Sequence, residues 1–388
     1  MAHPQARYPS GETLIAEARQ SAGLSDFGPD TFREGLEVLL RSLEQDAGLS
    51  QAAADGAVKI LRRRLVNRLR IEEWFKTHPE TARLGIDQPV SIIGLPRTGT
   101  TALGNMMSLD DQFRSLRIWE QAEPCPPPIL AEEASDPRRL AAVREAEAMM
   151  RDHPQLAAMH LFDADASVED TEVLGLEFKA QQFTYPVTAY HDWWRQSDMA
   201  PAYAYHRRVA QLLQSRRPPN RWLFKAPHHK FHLEALVKAY PDIRFIMTHR
   251  DPAKSVPSYA SFVSAIFPPG SSAAADPVKF GQHVANHLRD GMERAMAARA
   301  RLGEHRFLDI HHQDFTRDAE GSLKRAYHFL GLELRPQVRD AMLRWQAENH
   351  SGAHGGHRYT AEQFGLSKAR LHADFDFYIR RFDIRVEG

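Results

Sequence analysis

The sequence predicts an α/β fold: a parallel sheet of about four to five strands, covered by many helices, with a helical region ahead of it. Three observations carry this. Short apolar runs at Val90–Ile93, Trp222–Phe224, Ile243–Thr248 and Arg306–Ile310 alternate with longer stretches of helical periodicity. Strands separated by helices imply a parallel sheet whose ligands gather at the strands' C-terminal ends. Gly94 and Gly99, with four residues between them, bracket a tight turn from the first strand into an apolar-periodic segment opened by Thr100–Thr101–Ala102–Leu103. Strand, glycine loop and helix aim backbone N–H groups at an anion. Finally, Arg97, Lys225 and Arg250 all fall at strand ends, so three cations converge on one edge.

Residues 12 to 85 read as helical, with Phe32, Leu36, Leu39, Leu40 and Leu43, then Ile60, Leu61, Leu65, Leu69 and Trp74, at helical spacing. The basic run Arg62–Arg63–Arg64 with Arg68 and Arg70 reads as a solvated face or as ion-pair partners rather than a binding patch. Pro79 and Gly85 close this region, dividing the chain into a helical part, 1–85, packed on the core, and an α/β domain, 86–388. A short helix through Leu103, Met106 and Met107 ends at Asp110–Asp111, and Pro124, Pro126, Pro127 and Pro128 make a rigid loop. A charged, exposed helix with its connection is expected over 132 to 160, and the acidic start of Val168–Leu174 suits a helix N-terminus. The aromatic-rich stretch 183 to 205 (Phe183, Tyr185, Tyr190, Trp193, Trp194, Tyr203, Tyr205) suits a core or the wall of an apolar pocket. Asp251 as N-cap and Pro252 at the first helical position start another helix. The glycine loop 352–359 carries a further cation, Arg358.

Composition bounds the function. Lys+Arg 50 against Asp+Glu 50 leaves no net basic field, so no nucleic-acid partner is expected and any anion site is local. The single cysteine, Cys125, excludes an intramolecular disulfide, and no apolar run approaches the roughly 18 residues of a membrane span. With no signal pattern at MAHPQARYPSGE, a cytoplasmic protein is the expectation. The spacing of Gly94 and Gly99 fits the start of a nucleotide-binding P-loop, but Thr100 stands where that motif needs lysine, and the charge sits at Arg97 instead. The loop suits a phosphate without being built to act on a γ-phosphate. His228, His229 and His232 have ligand chemistry but no cysteine or carboxylate beside them in sequence, so no metal is expected.

These residues together resemble a known family. Leu95–Pro96–Arg97–Thr98–Gly99–Thr100–Thr101 is similar to the 5′-phosphosulfate loop of sulfotransferases that use 3′-phosphoadenosine-5′-phosphosulfate (PAPS). Arg250 and Ser258 resemble the family's 3′-phosphate motif, an arginine ending a strand and a serine about two helical turns on. The bacterial branch with Pro-Arg-Ser/Thr-Gly-Thr-Thr loops also matches around Trp119–Glu120, Lys225–Ala226–Pro227–His228 and His357–Arg358–Tyr359. Pro257 departs from the pattern and is expected to kink the helix just before Ser258. The resemblance implies sulfuryl transfer from PAPS to a hydroxyl of a small, apolar acceptor. Pro96, Arg97, Thr98, Gly99, Thr100, Thr101, Arg250, Ser258 and Arg358 would bind the donor, and Arg97 and Lys225 would neutralise developing charge. Glu120 leads as general base, His228 follows, and His160 and the Glu169–Asp170 pair come third. A P-loop kinase or hydrolase, and a non-catalytic nucleotide-binding module, are the alternatives.

Overall fold

Five strands, β1 (Val90–Gly94), β2 (Phe113–Ser115), β3 (Arg221–Lys225), β4 (Arg244–His249) and β5 (Phe307–His311), form one sheet in the order β2-β3-β1-β4-β5. Every neighbouring pair is parallel. The computed structural model describes residues 7–152, 163–182, 184–349 and 359–387; His160, Phe183, His357 and Arg358 lie outside them. Four strands stand where the apolar runs predict them. The fifth, β2, is a three-residue edge strand, too short to show any alternation.

The three inner strands β1, β3 and β4 bury both faces, as their apolar runs require, while β5 at the edge is partly exposed. Ile93, Phe224, Phe245 and Met247 belong to one core, and Val90, Ile92, Leu223, Ile246 and Ile310 to another. The first core also holds Leu36 and Leu39 of α2 (Arg33–Gln45), Leu65 and Leu69 of α3 (Gln51–Thr77) and Leu14 and Ile15 of α1 (Gly11–Ala22). Leu65 and Leu69 are fully buried, and each contributes roughly 1.5–3 kcal/mol by leaving water. The second core is closed by Leu103, Met106 and Met107 of α4 (Thr100–Met107) and by Leu323 and Tyr327 of the Ala319–Leu330 helix.

Local chemistry sets the helix ends. Ser10 Oγ accepts from Thr13 N at 3.1 Å to open α1, which stops at Gly23 with φ 65°. The basic run is an ion-pair ladder: Arg62 pairs with Glu17 at 2.6 Å, Arg63 and Arg64 with Glu172 at 3.2 and 2.6 Å, and Arg68 with Glu177 at 2.5 Å. Tyr190, Trp194, Tyr203 and Tyr205 of the aromatic stretch lie in the core. No helix among the described residues is long and apolar enough to cross a membrane.

Candidate functional site

β1 sits between β3 and β4, so the loop that follows it is flanked by the ends of both neighbours. The register sets Ile92 beside Lys225 and Gly94 beside Thr248. After β1 the chain passes to β2 at the edge beyond β3, and after β4 it continues the other way to β5, which makes the crevice between β1 and β4 the switch point of the sheet. Gly94 has φ 139°, and a Cβ there would meet Thr248 O at 2.4 Å, so only glycine lets the loop leave so close to β4. Thr98 Oγ1 donates to Leu95 O at 2.6 Å and hydrogen-bonds Thr248 Oγ1, which ties the loop down from inside. Gly99, at φ 92°, is the N-cap of α4 and leaves that helix start without a side-chain cap. Pro96 and Thr100 are buried, whereas Arg97, Gly99 and Thr101 are partly exposed.

Arg97 itself sits at φ 65°, uncommon for a side chain of this size. Its Nε donates to Ser258 Oγ at 3.3 Å, and its guanidinium lies 5.3 Å from the Phe262 ring centroid; neither neighbour is an anion. Burial lowers its pKa, Tyr359 opposes that shift, and Arg250 adds to it. Two cations packed this closely are what a bound anion would relieve.

The helix that presents Ser258 spans Pro252–Ile266, opened by Asp251, whose Oδ1 accepts from Ala253 N at 2.8 Å. It runs on both sides of Pro257, and Ser258 still reaches Arg97. Arg250 donates through Nη1 to Arg97 O at 3.2 Å. The rest of its fork is taken: Nε and Nη2 reach the two oxygens of Glu387 at 2.9 and 3.0 Å. A carboxylate thus grips the arginine bidentately, the geometry a phosphate would use.

On the other side of β1, Lys225 is buried and its stem runs beside Gly104 of α4, where a Cβ would stand 3.5 Å from Lys225 Cγ. Its Nζ is 3.7 Å from Glu169 Oε1. Asn105 Oδ1 accepts from Ser167 N at 3.0 Å, pinning the segment that carries Glu169 against α4. The Glu169 side chain is 30 % exposed. Burial by the surrounding protein raises its carboxyl above the usual range, with Asp170 adding to this and Lys225 and Lys230 opposing it.

Behind Glu169, Asp170 Oδ2 meets His229 Nε2 at 2.9 Å and His206 Nε2 at 3.3 Å, while the far nitrogens of these rings meet Tyr203 Oη at 2.9 Å and Tyr240 Oη at 2.7 Å. Burial works against the Asp170 carboxylate, but the bonds to the two histidines win and hold its pKa below the usual range. This buried network fixes the chain at Glu169.

The other base candidates sit differently. Glu120 is fully buried: Arg114 Nη2 donates to its Oε1, and Arg117 N donates to Oε2 at 3.1 Å, capping the short Ile118–Ala122 helix. Both oxygens are therefore engaged within the protein. His228 is buried with its ring 6.3 Å from that of Trp194, and burial pushes its pKa well below the ordinary imidazole range. Lys230, which the sequence did not single out, is buried too, donates to Pro227 O at 3.0 Å, and has its pKa pulled down to about 7 by burial. Cys125 donates to Arg70 O at 3.4 Å, and burial pushes its thiol up to about 11, as an unreactive cysteine requires. Among the described residues no cluster of three or more His, Cys, Asp or Glu side chains is arranged to hold a metal.

Beside this centre lies a small cleft with Val187, Val263, Phe267, Phe280 and Tyr259 among its walls. Burial and the charge of Glu169 raise the Tyr259 phenol well above its ordinary pKa, and Tyr259 directly follows Ser258, whose hydroxyl accepts from Arg97. The stretch 183 to 205 contributes Pro186, Val187, Thr188 and His191 to the lining, rather than its tyrosines and tryptophans.

Residues 89–336 match the family model described as the sulfotransferase family. The chain is similar to the crystal structure of sulfotransferase STF9 from Mycobacterium avium, with TM-score 0.88 and 28 % identity over 100 % of both chains. It is also similar to sulfotransferase STF1 from Mycobacterium tuberculosis H37Rv, with TM-score 0.84 and 28 % identity over 96 % of this chain and 99 % of that one. Among curated proteins, omega-hydroxy-beta-dihydromenaquinone-9 sulfotransferase Stf3 of Mycobacterium bovis is 25 % identical over 252 residues, and its Mycobacterium tuberculosis counterpart matches equally. The chain spans 63 % of the length of these curated relatives.

Proposed function

The chain belongs to the sulfotransferase family, and from that premise we propose that it moves the sulfuryl group of PAPS onto a hydroxyl of a small, largely apolar acceptor, releasing 3′,5′-diphosphoadenosine. The observation that carries this reading is the meeting of Arg97, Lys225 and Arg250 at the ends of three adjacent strands around one glycine loop. Sulfuryl transfer passes SO3 in line from a phosphate to an oxygen, so catalysis rests on positioning and on charge stabilisation, as in phosphoryl transfer.

In this reading each residue has a task. The backbone from Gly99 to Thr101 and the Arg97 guanidinium hold the 5′-phosphosulfate, with Pro96 and Thr98 shaping the loop. Lys225 neutralises charge developing on the departing phosphate. Arg250 and Ser258 receive the 3′-phosphate, and Arg358 is a further donor-binding candidate. For the base we propose Glu169 ahead of Glu120 and His228. Glu169 is part-exposed, stands 3.7 Å from Lys225 and carries a raised pKa, whereas Glu120 has both oxygens engaged. A carboxylate tuned upward takes a hydroxyl proton more readily at working pH.

A hydroxyl acceptor is supported by the name of the curated relatives, which gives theirs as omega-hydroxy-beta-dihydromenaquinone-9. Calorimetry tests the donor side. Tight binding of 3′,5′-diphosphoadenosine without added magnesium, well above the affinity for ATP, is expected; a preference for magnesium-ATP would overturn the reading.

A further inference from the structure

Resting on the sulfotransferase reading, we propose that the cleft beside Tyr259 is the acceptor site, and that it selects an uncharged, largely apolar alcohol or phenol with a second oxygen that hydrogen-bonds to His287. Among the described residues no Asp, Glu, Lys or Arg lines the cleft. A charged acceptor body would be stripped of water there and gain no counter-ion, which is strongly unfavourable. The apolar walls at Val187, Val263, Phe267 and Phe280 suit a hydrocarbon body.

His287 lines the same cleft, is only 4 % exposed, and neither of its ring nitrogens has a hydrogen-bond partner among the described residues. Buried polar groups in folded proteins are almost always paired, so a ring left this way points to a partner that arrives with a ligand. Two other polar pairs of the lining are already engaged: Gln181 Nε2 donates to Tyr259 Oη at 3.3 Å, and His191 Nε2 lies 3.2 Å from the backbone O of Gln182. Burial, with His191, Lys230 and His283, holds His287 in its neutral form, able to donate from one nitrogen and accept at the other. Tyr259, in the lining, directly follows Ser258, which accepts from Arg97 Nε at 3.3 Å, so the cleft adjoins the anion loop. An acceptor lying in the cleft turns its reacting hydroxyl toward that loop and its second oxygen toward His287.

Three phenols test this: para-butylphenol, its analogue with a methyl ketone at the chain's end, and its analogue with a chain carboxylate. The two methylenes between ring and chain group keep phenol acidity nearly constant. Binding is measured by calorimetry with 3′,5′-diphosphoadenosine present, and kcat/KM with PAPS. The ketone is expected to exceed para-butylphenol by about tenfold in both, the scale of one hydrogen bond, and the carboxylate to bind least. In His287→Phe the ketone-to-butylphenol ratio falls to about one, while His287→Asn keeps part of the preference. Val263→Phe, narrowing the wall, lowers affinity for both neutral phenols but not for the nucleotide. Thermal unfolding and nucleotide binding show that each variant is folded. A ratio unchanged in His287→Phe, a carboxylate bound as well as the ketone, or no ketone binding to the native protein overturns the proposal. Ketone bound but never sulfated from PAPS overturns the underlying activity instead.

Discussion

Removing the carboxylate of Glu387 should tighten binding of the 3′-phosphorylated nucleotide. In the structure Glu387 holds Arg250 through two bonds, at 2.9 and 3.0 Å, so a 3′-phosphate reaching for the same fork has to displace it. The pair is neither deep nor free: its side chains are 25 % and 19 % exposed. Partly solvated pairs contribute about 1 kcal/mol at the upper end of their range, and that is the cost the ligand meets. Glu387→Gln keeps the shape, weakens the grip, and should raise affinity for 3′,5′-diphosphoadenosine about fivefold, since 1.4 kcal/mol is tenfold. The 3′-dephosphorylated nucleotide makes no such demand and should bind as before. Titration calorimetry of both nucleotides against native protein, Glu387→Gln and Arg250→Ala gives the comparison, with Arg250→Ala expected to erase the difference between them. An unchanged affinity in Glu387→Gln, or an equal gain for both nucleotides, would refute the reasoning.

Further outcomes concern the rest of the centre. Arg97→Ala should lower transfer by about a hundredfold or more with little loss of fold, because its contacts are one hydroxyl and one ring; near-native turnover would remove Arg97 from the site. Glu169→Gln should lower transfer by about 10²–10⁴. Because its carboxyl is raised, native activity should fall as pH drops through that raised pKa, and the variant should lose this acidic limb; if His228→Asn or Glu120→Gln removes the limb instead, that residue is the base. Lys230 titrates at about 7 in the folded protein against an ordinary 10.5. Between those values the unfolded chain holds the extra proton, so stability rises with pH across the window. Lys230→Met should therefore be more stable than the native protein below pH 7, with the advantage shrinking toward pH 10.5; a stability difference independent of pH in thermal melts would count against a buried, destabilised ammonium.

What the sequence discloses follows from the range of each interaction. β1, β3 and β4 are legible because a buried parallel strand is an apolar run, and β5 through Phe307, Leu308 and Ile310; a parallel sheet then carries Arg97, Lys225 and Arg250 to one edge. β2 is not, because Phe113–Ser115 earns its place by pairing with Arg221–Leu223, a hundred residues on. Glu169 ranks low in sequence because nothing local links it to Lys225; the link is made by Asn105 holding Ser167 and by Asp170 bonding His229 and His206. Glu120 leads in sequence through the family resemblance around Trp119–Glu120, but Arg114 of the edge strand claims one of its oxygens and Arg117 the other. Glu387 is invisible as a partner of Arg250, since 137 residues separate them.

The central claim is tested most directly by following a labelled sulfuryl group from PAPS into a panel of uncharged hydroxylated acceptors. Transfer of label onto an acceptor hydroxyl, with one equivalent of 3′,5′-diphosphoadenosine released and the rate lost in both Arg97→Ala and Glu169→Gln, is the predicted result. Retention of label on PAPS with every acceptor, alongside magnesium-dependent hydrolysis of ATP, would contradict the account.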